Sequence, residues 1–179
     1  MARSRALRFK DLFDASKLEA KRLQLKRHPV ALGALVRAVI ERSPDVAART
    51  MFRQAAGSDF WVLADRGRIE QVLSNLLGNA VKYGEADAPI EVELNLSAEH
   101  AVVVVKNRGR GIPTAELPEL FQRFRRTKDA QEGAVAGSGL GLYIARELIV
   151  AHEGRIWAES IPGETTSFHF TLPLTSEPS

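Results

Sequence analysis

The stretch SNLLGNAVKYG, from Ser74 to Gly84, places two asparagines in a segment that otherwise predicts a buried helix. Asn75 and Asn79 are four residues apart, which is about one helical turn, so both amides project from the same side of the helix. Asparagine is a poor helix former, and its amide is costly to bury without hydrogen-bond partners. The presence of two amides on one stripe of an apolar helix therefore needs an explanation.

The composition of the 179-residue chain, 45% hydrophobic and 26% charged, is typical of a soluble globular domain. It contains no cysteine, which excludes disulfides, thiolate zinc sites and cysteine nucleophiles and is compatible with a cytoplasmic location. Its apolar runs are far shorter than the roughly 20 residues of a membrane span. The basic segment Met1 to Lys10 is not followed by the apolar stretch of a signal peptide.

The net charge of +3 is unevenly distributed, because Met1 to Val30 holds nine Lys or Arg against three Asp or Glu, a sum of +6. The rest of the chain therefore sums to −3. A basic surface for nucleic acid is disfavoured for the main domain, and the charge indicates a solvated helix end.

Hydrophobic periodicity outlines the remaining elements. Helices are predicted at Leu32 to Ile40, Arg68 to Tyr83 and Gly139 to His152, with short turns at Pro113 to Phe124, a loop at Thr127 to Ser138, and a helical segment at Arg8 to Lys26 that His28 and Pro29 break. Strands are predicted at Phe60 to Leu63, Ile90 to Leu96, Ala101 to Lys106, Arg155 to Glu159 and Ser167 to Leu172. The valine-rich third strand is typical of a buried central strand. Because the strands cluster in neighbouring pairs, we expect an α+β fold with one mixed sheet under a few helices, rather than a doubly wound parallel sheet.

Two glycine clusters, NRGRGIP (Asn107 to Pro113) and GSGLGL (Gly137 to Leu142), are candidates for ligand contacts. Glycine lets a ligand approach the main chain closely, and a glycine run that opens a helix forms an anion site. Either cluster alone is also compatible with a tight turn. Neither matches a P-loop or a dinucleotide fingerprint.

Taken in order, the motifs resemble the ATP-binding domain of sensor histidine kinases, in the superfamily of gyrase, Hsp90 and MutL. QVLSNLLGNAVKY is similar to the N box of that family, VKNRGRGI to its G1 box, LFQRF to its F box and GSGLGL to its G2 box. The resemblance implies the Bergerat fold, a two-layer α/β sandwich with a mixed sheet under about three helices and an N-terminal helical segment. It also implies the end of a dimerisation hairpin at 1–28, the catalytic domain at 29–174 and a tail at 175–179.

The resemblance further implies a site for ATP and Mg²⁺. Asn79 matches the magnesium ligand, Lys82 can reach the phosphates and Tyr83 lies against the nucleotide. The expected adenine pocket comprises Asn107, Gly109, Gly111 and Ile112, and the hinge and phosphate cradle comprise Gly137, Ser138, Gly139, Leu140, Gly141 and Leu142. Arg123 or Arg126 is expected to neutralise the γ-phosphate, and Phe121 and Phe124 are either docking or core residues. Pro113 to Ser138 is expected to form a mobile lid.

Asn75 is expected to set the acceptor, because hydrolases of the superfamily carry a glutamate at that position. Water and serine need a base during attack, whereas an imidazole already offers a lone pair. Glu70 is nine residues before Asn79 and is a poor substitute for that base. Asn75 therefore favours a histidine acceptor.

Two positions depart from the family pattern. Asn107 replaces the usual aspartate, and a neutral hydrogen bond in place of a charge-assisted one loses about 1 kcal/mol, or roughly fivefold in affinity. An amide can also flip toward guanine, so base selectivity stays open. Gly84 replaces the usual Thr or Ser without a consequence that the sequence reveals.

No histidine lies in an H box, the family's phosphoacceptor motif; the four present are His28, His100, His152 and His169. The chain is therefore either a fragment of a longer kinase or a split kinase with its acceptor on another protein. The expected partners are a dimerisation and phosphotransfer domain, on the same or a separate chain, and a downstream response regulator, with no nucleic acid. A membrane connection is expected only through other parts of a longer protein. The alternative is a non-catalytic nucleotide-binding module.

Overall fold

The computed structural model describes residues 24–55, 60–125 and 138–178. Their strands are β1 (His28–Ala31), β2 (Thr50–Gln54), β3 (Trp61–Ala64), β4 (Ile90–Ser97), β5 (His100–Arg108), β6 (Ile156–Ile161) and β7 (Thr165–Pro173). Their helices are α1 (Leu32–Glu41), α2 (Pro44–Ala47), α3 (Arg66–Tyr83), a 3₁₀ helix (Thr114–Glu119) and α4 (Gly141–Ala151). Most of the expected N-terminal helical segment and of the 127–138 loop lies outside the described residues.

Five strands form one mixed sheet in the order β2-β4-β5-β7-β6. Only β2 and β4 are parallel, and every other neighbouring pair is antiparallel. A second, two-stranded sheet joins β1 to β3. This arrangement confirms the predicted α+β fold. The sequence predicted neither β1 nor β2, because β1 begins with exposed His28 and Pro29 and β2 is an edge strand with exposed Met51 and Arg53.

The main sheet is buried on one face only. Its inward row on β5 is Ala101, Val103, Val105 and Asn107, and the residues between them are half-buried. The valine strand is central in the sheet, as predicted, and the predicted burial is complete on one of its two faces only. Val102 and Val104 point to the face that no helix of the described chain covers, since side chains alternate along a strand.

Three helices of ten or more residues, α1, α3 and α4, carry most of the helical core, and α2 and the 3₁₀ helix bring the number among described residues to five. The buried positions of α3 recur at helical spacing: Ile69, Val72, Leu73, Leu76, Leu77 and Ala80. This helix begins two residues before the predicted start, because Asp65 caps it by accepting a hydrogen bond from the Arg68 backbone N–H at 3.2 Å. Among the described residues, no helix combines the length and apolar character of a membrane span.

Candidate functional site

Helix α3 brings both glycine clusters to one region of the fold. Asn75 donates from Nδ2 to the carbonyl oxygen of Gly141, at the start of α4, over 3.0 Å. Where α3 ends, Gly84 pairs with Gly109 in an isolated β-bridge. Asn79 lies about one turn from each contact and is half-buried. Helix α3 therefore spans the interval between the first glycine cluster (Asn107 to Pro113, the G1 segment) and the second (Gly137 to Leu142, the G2 segment), with Asn79 in the middle.

Asn75 has a structural role in this arrangement. Its amide nitrogen is engaged with the first turn of α4, so the side chain joins two helices. An amide cannot accept a proton as a general base. This position therefore supplies order to the site and no acid–base chemistry.

Close backbone contacts surround Gly84 and Gly109, where the end of α3 meets β5. A Cβ on Gly84 would lie 2.4 Å from the carbonyl oxygen of Ala80, and a Cβ on Gly109 would lie 2.5 Å from that of Tyr83. In addition, the Glu85 N–H donates to the Arg108 carbonyl oxygen at 2.9 Å. Gly109 needs glycine because the main chains of β5 and α3 touch there, and Gly84 needs it because a Cβ would meet the last turn of its own helix.

Asn107 occupies the inward row of β5 at the end of the sheet and is only 5% exposed. Its Nδ2 donates to the Arg108 carbonyl oxygen over 3.2 Å. This bond leaves Oδ1 as the group available to a ligand, and Oδ1 is an acceptor. An acceptor suits the adenine amino group, which the family resemblance implies as its partner.

The rest of the G1 segment rests on the turn between β6 and β7. Gly111 has φ +69°, and a Cβ there would meet the Ile161 carbonyl oxygen at 2.5 Å. The Ile112 N–H donates to Ser160 Oγ over 2.8 Å. Gly111 thus permits a close approach of two loops, and Ser160, which the sequence did not indicate, anchors the loop.

The described part of the G2 segment starts at Ser138, whose Oγ accepts a hydrogen bond from the Leu140 N–H at 3.3 Å. Gly139 has φ +68° and packs on the backbone of Phe124. A Cβ added to Gly139 would lie 2.8 Å from the carbonyl carbon of Phe124. Leu140 is buried, and the α4 that follows has no side-chain cap at its first turn. The N-terminal end of a helix and its dipole suit an anion. The predicted residues Gly137 and Arg126 lie outside the described residues.

The two F-box phenylalanines have different environments. Phe121 packs edge-on against the core residue Phe168, with ring centroids 6.4 Å apart. Phe124 is 57% exposed, adopts φ +60°, and carries the Arg123 guanidinium 4.7 Å above its ring. The core alternative therefore holds for Phe121 and fails for Phe124.

The predicted site residues Lys82 and Tyr83 are exposed at the end of α3.

Glu70 is occupied by two arginines and is not available as a base. Arg42 makes two hydrogen bonds of 2.7 Å to its carboxylate, and Arg66 adds one of 3.1 Å. The Arg42 hydrogen bond is the main cause that holds the Glu70 pKa below its ordinary value, against the opposing effect of burial. Glu70 therefore ties α3 to the end of α1.

Asn79 is the candidate metal ligand of the site. The described residues contain no group of three or more His, Cys, Asp or Glu that could hold a metal ion by themselves. Mg²⁺ usually keeps several waters and takes only one or two protein ligands beside substrate phosphates. One half-buried amide between the two glycine segments fits an ion that arrives with a triphosphate.

Comparison with known proteins identifies the family. The family described as "Histidine kinase-, DNA gyrase B-, and HSP90-like ATPase" matches residues 64–176, which include α3, both glycine segments and all strands from β4 to β7. The chain belongs to this family. Within the histidine kinase-like ATPases, it is 34% identical over 171 residues to the sensor histidine kinase WalK of Bacillus subtilis. That alignment covers 93% of the chain and 28% of WalK.

Solved structures of histidine kinases share the fold of this ATPase domain. Full-length ShkA in complex with AMPPNP superimposes with a TM-score of 0.81 at 25% identity, over 94% of this chain and 35% of ShkA. The catalytic domain of the histidine kinase ThkA gives a TM-score of 0.71 at 30% identity, over 83% of this chain and 95% of that domain. The chain is thus similar to the ATP-binding catalytic domain of histidine kinases and spans little more than a quarter of the length of WalK.

Proposed function

We propose that this ATPase domain binds Mg·ATP and transfers the γ-phosphoryl group to a histidine of a dimerisation and phosphotransfer domain. The observation that carries the proposal is the position of Asn79, which lies on α3 between Asn75, bonded to the G2 segment, and Gly84, paired with the G1 segment. The match to full-length ShkA, a protein solved with AMPPNP, supports the same ligand class.

The proposed nucleotide contacts follow this arrangement. Asn79 holds Mg²⁺, which neutralises phosphate charge when bound. Lys82 reaches the phosphates, and the open first turn of α4 receives a phosphate oxygen. Asn107 accepts from the adenine amino group, in a pocket completed by Gly109, Gly111, Ile112 and Tyr83. Ser138, Gly139, Leu140, Gly141 and Leu142 cradle the phosphates, and Arg123 or Arg126 neutralises the γ-phosphate.

The acceptor follows from the groups around α3. Asn75 is not a base, and Glu70 is held by Arg42 and Arg66. A neutral imidazole nitrogen uses its lone pair to form the new P–N bond while the bond to ADP breaks, so no base is needed to start the attack. Water and serine lack that advantage, and we expect slow ATP hydrolysis.

We place the acceptor domain, a response regulator downstream and a cytoplasmic site of action among the proposed partners and context. Residues 1–28 are the proposed end of the dimerisation hairpin, and 29–174 the catalytic domain. A nucleotide-binding module without catalysis is the second candidate, because Asn107 replaces the usual aspartate and the chain has no H-box histidine.

One experiment separates the two candidates. The full chain is incubated with γ-labelled ATP and Mg²⁺, alone and with a separate dimerisation domain that carries an acceptor histidine. We expect negligible self-labelling and an acid-labile, base-stable label on the acceptor. Asn79→Ala should abolish Mg²⁺-dependent binding by calorimetry and transfer alike, with the fold intact by circular dichroism. Unchanged Mg·ATP affinity in Asn79→Ala would refute the assignment of Asn79, and failure to label any acceptor histidine would favour the binding module.

A further inference from the structure

His152 is the one histidine of the chain that is fully enclosed, with 1% of its surface exposed at the C-terminal end of α4. Its Nδ1 lies 2.7 Å from the carbonyl oxygen of Leu148, one turn back on the same helix. Its Nε2 accepts a hydrogen bond from the backbone N–H of Asp65 over 3.0 Å. The imidazole therefore connects the last turn of α4 to the residue that caps α3.

These two bonds define the chemical form of the ring. The carbonyl of Leu148 can only accept, so the proton lies on Nδ1, and the N–H of Asp65 can only donate, so Nε2 carries a lone pair. A second proton on Nε2 would face that N–H and break the bond between the helices. Burial is the main cause that lowers the His152 pKa, with Arg27 adding to it, while Leu148, Asp65 and Glu153 oppose it.

The two helices are fastened at two points along their length. Asp65 and His152 join the start of α3 to the end of α4, whereas Asn75 joins the middle of α3 to the start of α4. The helices therefore run antiparallel. Asn79 lies about 21 Å along α3 from Asp65, at 1.5 Å per residue. A change in the contact between Asp65 and His152 therefore alters the position of Gly141 relative to Asn79.

The segment that enters the domain is fastened at the same place. The Lys26 N–H donates to Asp65 Oδ2 at 3.0 Å, and Arg27 donates to Glu153 Oε1 at 2.7 Å and to the Ala151 carbonyl oxygen. Lys26, Arg27, Asp65, His152 and Glu153 thus form one junction, called here the helix-end junction. It touches the entering chain and the ends of both helices.

The backbone that follows α4 packs closely against the sheet, which limits how far a shift at the junction can be absorbed there. Glu153 adopts φ +64°, and a Cβ on Gly154 would lie 2.0 Å from the carbonyl oxygen of Thr171 on β7. The backbone after His152 is therefore confined against the sheet. A displacement at the helix-end junction must be taken up by the pairing of α3 with α4.

We propose that His152 is a positioning residue: as the neutral Nδ1–H tautomer, its bond to Asp65 sets the pairing of α3 and α4 and so the alignment of Gly141 with Asn79. The inference rests on the proposed function for its effect on Mg·ATP. It assigns the helix-end junction as the point where the entering segment influences the nucleotide site.

Two variants separate the two bonds of His152. His152→Gln places an amide oxygen where Nε2 lay and can keep the bond to Asp65. His152→Asn places an amide near Nδ1, keeps the bond to Leu148 and cannot reach Asp65. Calorimetry of the full chain at pH 7.5 should give His152→Gln nearly the wild-type Mg·ATP affinity and His152→Asn at least about fivefold weaker affinity. Melting curves set a temperature at which each variant is folded.

The pH profile tests the same bond without loss of a side chain. Because burial holds the His152 pKa below the ordinary histidine value of about 6.5, wild-type affinity should fall as pH drops through that lowered pKa. His152→Gln lacks this fall and serves as the reference for protonation of the nucleotide itself. In the wild-type chain without nucleotide, the amide resonances of Gly139 and Gly141 should titrate with the imidazole of His152. Equal affinities and pH profiles in all three proteins, with static glycine resonances, would overturn the positioning role. Glycine resonances that titrate in a wild-type chain that does not bind Mg·ATP would overturn only the proposed function.

Discussion

The two asparagines of α3, one turn apart, have different roles that spacing alone does not separate. The Asn75 amide donates a hydrogen bond to the first turn of α4, whereas Asn79 is half-buried between the two glycine segments. The sequence predicted that the amides share one side, because that follows from helical geometry. It did not predict the bond of Asn75, because the partner is a backbone carbonyl 66 residues away. A hydrogen bond to a backbone carbonyl cannot be predicted from the pattern of side chains along the sequence.

Asn107→Asp should tighten ATP binding about fivefold and sharpen the preference for ATP over GTP, because a carboxylate accepts more strongly from the adenine amino group. The same change should lower the melting temperature of the free chain, since it replaces the bond to the Arg108 carbonyl with a buried charge. Calorimetry with both nucleotides and thermal melting measure the two effects. Asn107→Ala is the control and should weaken ATP. Unchanged affinities in Asn107→Asp would mean that residue 107 does not face the base.

Whole elements were predicted best where one face is strongly apolar. Helix α1 ends one residue beyond its predicted end. Strand β5 is longer than its prediction by one residue at its start and two residues at its end. Helix α4 begins at Gly141, two residues after the predicted start at Gly139. Gly139 cannot be part of the helix because it adopts φ +68° and packs on Phe124. Strands β1 and β2 escaped prediction because pairing with distant strands, rather than their own pattern, makes them strands.

Two glycines at opposite extremes of packing test how the elements are built. Gly78 lies inside α3 with no atom within 4 Å of an added Cβ, so Gly78→Ala should stabilise the fold by about 0.5–1 kcal/mol through helix propensity. Gly154→Ala is the matched contrast, because its Cβ would meet the Thr171 carbonyl oxygen at 2.0 Å. It should destabilise by about 1–3 kcal/mol. Urea unfolding of both variants measures the difference, and equal stabilities would contradict the packing of α4 on β7.

On the scale of the whole molecule, the helices cover one face of the main sheet and the described chain leaves the other open. On the open face, Trp157 stacks on His169 with ring centroids 4.9 Å apart. The site lies elsewhere, where α3, the G1 segment and the G2 segment converge at one end of the sheet. The order of the motifs predicted this convergence through the family resemblance. The anchoring of Gly111 on the β6–β7 turn and the helix-end junction became visible only in three dimensions, since both depend on loop contacts between distant segments.

The acceptor domain is expected to dock at the exposed ring of Phe124. Phe124 is 57% exposed, and Gly139 of the G2 segment packs against its backbone, so an apolar ring stands at the edge of the nucleotide site. Burying such a ring against a partner contributes on the order of tenfold in affinity. Phe124→Ala should therefore slow phosphoryl transfer to a separate acceptor domain by about tenfold while leaving Mg·ATP affinity within about twofold.

Phe121→Ala is the control for this prediction, because Phe121 packs on Phe168 and its loss should lower stability. Single-turnover labelling measures transfer, calorimetry measures nucleotide binding, and melting curves separate folding from docking. If Phe124→Ala weakened Mg·ATP binding and transfer by the same factor, its ring would serve the nucleotide site instead. If it changed neither, the acceptor domain would have to dock on a different face of the molecule.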